Sequence, residues 1–103
     1  MRVKWTDHAL AQREQVASYI CLQFGTKRKT LFLRDVREMT RLLRHSPNMG
    51  RIDPLFEDRP YAFRSVVING LSKMVYRIDG ETIYIVAFWD TRMEPEAQAA
   101  QVK

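Results

Sequence analysis

Apolar and polar positions alternate at the start of the chain. Val3 and Trp5 fall on one side and Arg2 and Lys4 on the other, which predicts a short strand over residues 1–5. Thr6 or Asp7 can cap a following helix through a side-chain oxygen. Leu10, Ala17, Ile20 and Phe24 recur at helical steps or their multiples, and Gly25 stops the run. Thr26 can cap a second helix reaching about His45, with the stripe Phe32, Val36, Met39 and Leu43. Two one-sided helices so close in sequence predict an antiparallel helical hairpin.

Residues 46–60 hold Pro47, Pro54 and Pro60 and no periodicity, and read as a loop. Three strands follow, over 61–68, 71–78 and 82–89. Asn69-Gly70 and Asp79-Gly80 join them as two-residue turns, since both central positions of such turns need positive φ. From Glu94 the chain is polar and alanine-rich. The expected architecture is α+β in the order β-α-α-β-β-β. The helical hairpin packs on one face of a small, largely antiparallel four-stranded sheet.

Two-residue turns set a register. Val66 then lies opposite Lys73, and Val75 lies opposite both Arg64 and Tyr84. Opposed side chains share a face. Phe63, Val67, Met74, Tyr76, Ile83 and Ile85 form the apolar face expected under the helices. The other face carries Arg64, Lys73, Arg77, Thr82 and Tyr84 beside Val66, Ile68, Val75, Val86 and Phe88. Two readings of that mixed face stand open. It is a partner surface, or the loop at 46–60 or the tail covers its apolar part.

The 103 residues fit one domain, here 1–103, and the balance of 46% hydrophobic to 28% charged residues is that of a folded globule. A single cysteine, Cys21, excludes an internal disulfide and suits a reducing compartment. No apolar run approaches the roughly 18–20 residues of a membrane span, and the N-terminus lacks the apolar core of a signal peptide. The expected location is the cytoplasm. Seventeen Lys and Arg against twelve Asp and Glu give a net charge of +5. That charge suits nucleic acid or an acidic protein partner.

Cofactor and metal chemistry find little footing. His8 and His45 are far apart and in no ligand spacing, and the four glycines are isolated. Cys21 sits among apolar residues, as an inert thiol does. Arg34, Arg37, Arg41 and Arg44 form one basic stripe on the second helix, away from its apolar stripe. Either they bind an anion or they are a solvated face offset by Asp35 and Glu38. Arg64, Lys73, Arg77 and Tyr84 could hold a phosphate and stabilise charge in phosphodiester cleavage. Cleavage also needs a proton acceptor and donor. Arginine cannot be that base, and Lys73 or Tyr84 could only with a large downward pKa shift.

The order of elements, with Trp5-Thr6 before a helix, Pro47-Asn48-Met49-Gly50-Arg51, Arg64-Ser65, Lys73-Met74-Val75-Tyr76-Arg77-Ile78 and Phe88-Trp89-Asp90-Thr91-Arg92-Met93-Glu94-Pro95, resembles the RelE/ParE superfamily of toxins from bacterial type II toxin–antitoxin systems. The resemblance implies a plasmid-stabilisation toxin. It also implies a cognate antitoxin whose C-terminal segment wraps it into a hetero-oligomer. Arg64, Val66, Lys73, Val75, Arg77, Tyr84, Phe88 and Arg92 are the expected partner-binding residues. RelE-like members cleave mRNA on the ribosome, and ParE-like members inhibit DNA gyrase. For a nuclease, Arg64, Lys73 and Arg92 match cationic positions of the family, and Tyr84 joins them as a catalytic candidate from the sheet face. Val66 stands where a further lysine belongs. Gln98 or Ala99 stands where the tail tyrosine or histidine belongs. That departure and the ending Asp90-Thr91-Arg92 with Pro95 point to the ParE side and to gyrase, with no cofactor and no metal. The ribosome-dependent endoribonuclease is the alternative. A small basic nucleic-acid-binding protein is a further one.

Overall fold

The computed structural model describes residues 1–90. In chain order the elements are β1 (Arg2–Trp5), α1 (Asp7–Phe24), α2 (Thr26–His45), β2 (Arg51–Ile52), a 3₁₀ turn (Pro54–Phe56), β3 (Arg64–Ile68), β4 (Ser72–Asp79) and β5 (Thr82–Asp90). The strands form one sheet in the order β1-β5-β4-β3-β2. Every pairing is antiparallel except β1 with β5. The fold is α+β, as expected, with one strand more than expected. The extra strand, β2, lies in the segment read as loop. Arg51 pairs with Ser65 and Ile52 with Arg64. Two residues are too short to show a period-2 pattern, and only pairing with β3 defines them.

The helices follow their sequence signals closely. Thr6 caps α1, its Oγ1 accepting the Ala9 N–H at 3.1 Å. Gly25 at φ 95° ends α1 and begins α2. Its N–H donates to the Cys21 carbonyl and its own carbonyl accepts from Lys29. Thr26 is therefore the first helical residue, not the cap. One glycine in a positive-φ conformation does both jobs. On α2 the stripe Phe32, Val36 and Leu43 is buried, with Met39 packed beside it. On α1 the buried positions are Ala9, Gln12 and Ala17, with Val16 and Ile20 alongside. Phe24 is 58% exposed instead of closing the core.

The register departs from expectation at both hairpins. Asn69 (φ 53°) and Gly70 (φ 69°) do make the turn, and the Leu71 N–H donates to the Ile68 carbonyl. Yet Ile68 pairs with Ser72, so Leu71 is a third loop residue. A slip of one residue exchanges the faces of β3. Val66 and Ile68 go under the helices, while Phe63 and Val67 go to the opposite side. At the second hairpin Asp79 pairs with Thr82, which makes Gly80-Glu81 the turn. That is a slip of two, which leaves the faces unchanged.

A β-bulge then intervenes, because Tyr76 pairs with Ile85 but Val75 pairs with Ala87. The extra residue, Val86, reverses the alternation. Phe88 turns under the helices, and Ala87 and Trp89 turn to the other face. Gln12 completes the site, its Oε1 accepting the Phe88 N–H at 2.9 Å.

The helix side of the sheet therefore holds Val66, Ile68, Met74, Tyr76, Ile83, Ile85 and Phe88 against α1 and α2. The other side holds a second, smaller cluster of Phe56, Phe63, Val75, Ala87 and Trp89. The 3₁₀ turn closes over it. Of the apolar residues expected on the mixed face, Val66, Ile68 and Phe88 lie under the helices, and Val75, with Val86 packed alongside, lies beneath the covering loop.

Candidate functional site

The sheet cations do not form one cluster. Arg64 lies opposite Tyr76 on the helix side of the sheet. Its Nη1 donates to the Gly50 carbonyl at 2.8 Å and to the Asn48 carbonyl at 3.3 Å. Tyr76 Oη donates to the Pro47 carbonyl at 2.7 Å and accepts the Gly50 N–H at 3.0 Å. Together they tie residues 47–50 to β3 and β4. A Cβ on Gly50 would stand 2.6 Å from Tyr76 Oη, so only glycine fits that approach. Burial pushes the Tyr76 phenol above its ordinary pKa, against the opposing pull of the Gly50 hydrogen bond and the Arg64 charge. A phenol shifted that way is not a base near neutral pH.

Lys73, Arg77 and Tyr84 lie on the side of the sheet opposite the helices, as expected. Lys73 Nζ stands 2.6 Å from Asp53 Oδ2, a charge contact off the hydrogen-bond direction. It also stands 5.4 Å from the Trp89 ring centre. Asp53 is buried, and its other oxygen accepts the Leu55 N–H at 3.0 Å, capping the 3₁₀ turn. Lys73 is thus the clasp of the lid. The Arg77 guanidinium lies 4.6 Å from the Tyr84 ring centre and 5.1 Å from that of Tyr61, with Asp79 Oδ2 at 3.4 Å. Val75 is buried beneath the lid, and Val66 and Phe88 are buried under the helices. None of these three is exposed to a partner. Arg92 lies outside the described residues.

The arginine stripe of α2 is on the surface as expected. Arg34, Arg37, Arg41 and Arg44 are all exposed. Arg41 forms a two-pronged pair with Glu38, which lowers the pKa of that carboxyl, and Arg34 stands 3.5 Å from Asp35. Part of the stripe is therefore balanced on its own helix.

A feature not anticipated is a cleft of about 420 Å³ between the helical hairpin and the β3–β4 turn. Val16, Tyr19, Ile20, Phe24, Phe32, Ile68 and Leu71 give it an apolar lining, and Arg28, Arg34 and Asp35 are its charged residues, with Asp35 paired to Arg34. The sequence signal was the surplus of apolar residues at the hairpin tip and in the turn. The sequence pattern places Phe24 on a helix face and Leu71 in a strand, and the structure exposes both by more than half. Among the described residues no three His, Cys, Asp or Glu side chains could hold a metal, and no helix is long and apolar enough to cross a membrane.

A helical hairpin on one side of a mostly antiparallel sheet, with charged and apolar patches on its surface, defines a small α+β protein. The profile of the ParE toxin of type II toxin–antitoxin systems, parDE, matches residues 3–95. The chain belongs to the ParE toxin family. A solved chain from the chromosomal ParDE TA system of P. aeruginosa superposes with a TM-score of 0.71 at 21% identity, over 87% of this chain and 95% of that one. At that identity it shows the shared fold. No curated protein matches the chain.

Proposed function

We infer that this ParE-family toxin arrests growth by binding and poisoning DNA gyrase, and that a cognate antitoxin neutralises it. One observation carries the choice of a binding mode over mRNA cleavage. Arg64 and Lys73, which a phosphate-cleaving site would need together, lie on opposite faces of the sheet. Each is engaged in holding a loop, Arg64 on the Asn48 and Gly50 carbonyls and Lys73 on Asp53. Charge stabilisation of one developing oxyanion requires donors converging on one point.

The cleft beside the hairpin supports the antitoxin part of this reading. Its apolar lining and Arg28, with Arg34 partly balanced by Asp35, suit an amphipathic segment that carries acidic residues.

The test is brief induction of the chain without antitoxin, followed by mapping of mRNA 5′ ends, alongside supercoiling by purified gyrase with added toxin. Intact messages and lost supercoiling are expected. Discrete new 5′ ends within translated codons, with gyrase unaffected, would replace this reading by the endoribonuclease. A simple double substitution of Arg64 and Lys73 is a poor test, since both hold the fold together.

A further inference from the structure

One rung of the sheet face opposite the helices carries an alternating row of cations and rings, beside the lid. Lys4 on β1 lies opposite Tyr84 on β5, and Tyr84 lies opposite Arg77 on β4. The loop residue Tyr61 stands beyond Arg77, with the guanidinium between the two rings at 5.1 and 4.6 Å. Lysine, ring, arginine and ring thus follow one another across the strands, which are spaced about 4.8 Å apart. The two cation–π contacts hold the rings in place before any ligand arrives. Tyr61 remains 60% exposed. Arg2 on β1 and Arg51 on β2 add exposed charge on the same face. The acids nearby are Asp79, 3.4 Å from Arg77, Glu81 in the adjoining turn, and exposed Glu57 and Asp58 in the lid segment, where Arg59 stands 3.9 Å from Asp58. They offset the row only in part.

We propose that this row is a binding site for single-stranded nucleic acid, with an unpaired base stacked on Tyr61 and backbone phosphates held by Lys4 and Arg77. Aromatic rings on a cationic sheet face accept any unpaired base, because every base has a π-face, whereas a duplex buries its faces in its own stack. An acidic peptide is the less suited ligand. An amphipathic peptide segment docks by laying its apolar face into an apolar groove, and the apolar strip of this face, Val75, Ala87 and Trp89, is closed beneath Phe56. The site binds without cutting. It goes beyond the gyrase reading and does not depend on it, so either can fail while the other stands.

The test is fluorescence anisotropy of labelled oligo-dT and oligo-U with the purified chain across a salt series. Both single strands bind, more tightly than a duplex of the same length. Tyr61→Ala weakens binding about tenfold, while Tyr61→Phe, which keeps the ring, stays within about twofold. Lys4→Gln lowers the salt slope by about one unit. Circular dichroism verifies that each variant is folded. Four outcomes overturn the proposal: no binding by the wild-type chain, equal binding of duplex, an unchanged affinity in Tyr61→Ala, or displacement by oligoglutamate as effective as by oligo-dT. Loss on converting Arg34, Arg37, Arg41 and Arg44 to Gln, with Tyr61→Ala unaffected, would move the site to α2.

Discussion

The two faces of this sheet are finished by different means. On one, an 18-residue and a 20-residue helix lay their own stripes over the strands. On the other, a three-residue 3₁₀ turn is folded down by Phe56 and clasped by the Lys73–Asp53 pair. The first face has many apolar contacts and a strand donor satisfied by Gln12. The second has five buried apolar residues, and the Trp89 indole N–H there is buried without a hydrogen-bond partner among the described residues. A large apolar interface stabilises by area and tolerates few defects. A small one leans on a single charge pair, whose partners are costly to bury apart. The difference teaches that the helix side carries global stability and the lid side is a local unit.

Three measurements would break or sharpen that contrast. The largest effect belongs to Phe88→Ala, because Phe88 packs against Phe32 and Trp5 at the centre of the main core. It is expected to cost about 3–5 kcal/mol in urea unfolding. Phe56→Ala removes a ring of the same size from the lid. Its cost should fall well below that, with faster hydrogen exchange confined to the lid amides. Equal losses would refute the division into a global and a local unit.

Next comes Lys73→Met, which keeps most of the apolar stem and removes the charge from beside buried Asp53. The expected cost is about 2–3 kcal/mol, below the full penalty of a dry ion pair because Lys73 retains some access to water. Lys73→Met combined with Asp53→Asn should recover part of it. No recovery would mean that the pair does not act as the clasp.

The smallest effect is at alkaline pH. The folded pKa of Tyr76 is raised, chiefly by burial. Its contribution to stability is therefore whole below the ordinary phenol value near 10 and fades as pH climbs through the higher folded value. A Tyr76→Phe variant should lack that fade in a pH series of unfolding midpoints. A variant that fades as the wild type does would remove Tyr76 as the source.

Much of the local structure was legible in the residues. Val3 and Trp5 marked β1, Thr6 marked the start of α1, and the α2 stripe marked its buried face. These signals act over a few residues and do not depend on distant partners. Asn69-Gly70 marked its turn for the same reason, since positive φ is a property of those two residues. The candidate site was less legible. Lys73, Arg77 and Tyr84 share a face as expected, but Arg64, Val66 and Phe88 do not join them.

The sequence by itself determined the order and kind of the main elements, the helical hairpin and a sheet with one basic face. Tertiary structure alone decided which residues lie on that face. The side-chain period of a strand is two, so one additional loop residue at Leu71 and one bulged residue at Val86 each exchange inside for outside. Neither insertion has a local signature. Leu71 leaves the strand because Ile68 and Ser72 pair across it, and Val86 bulges where Phe88 meets Phe32, Trp5 and Gln12. Such choices rest on contacts between residues far apart in the chain, which pattern along the chain does not record.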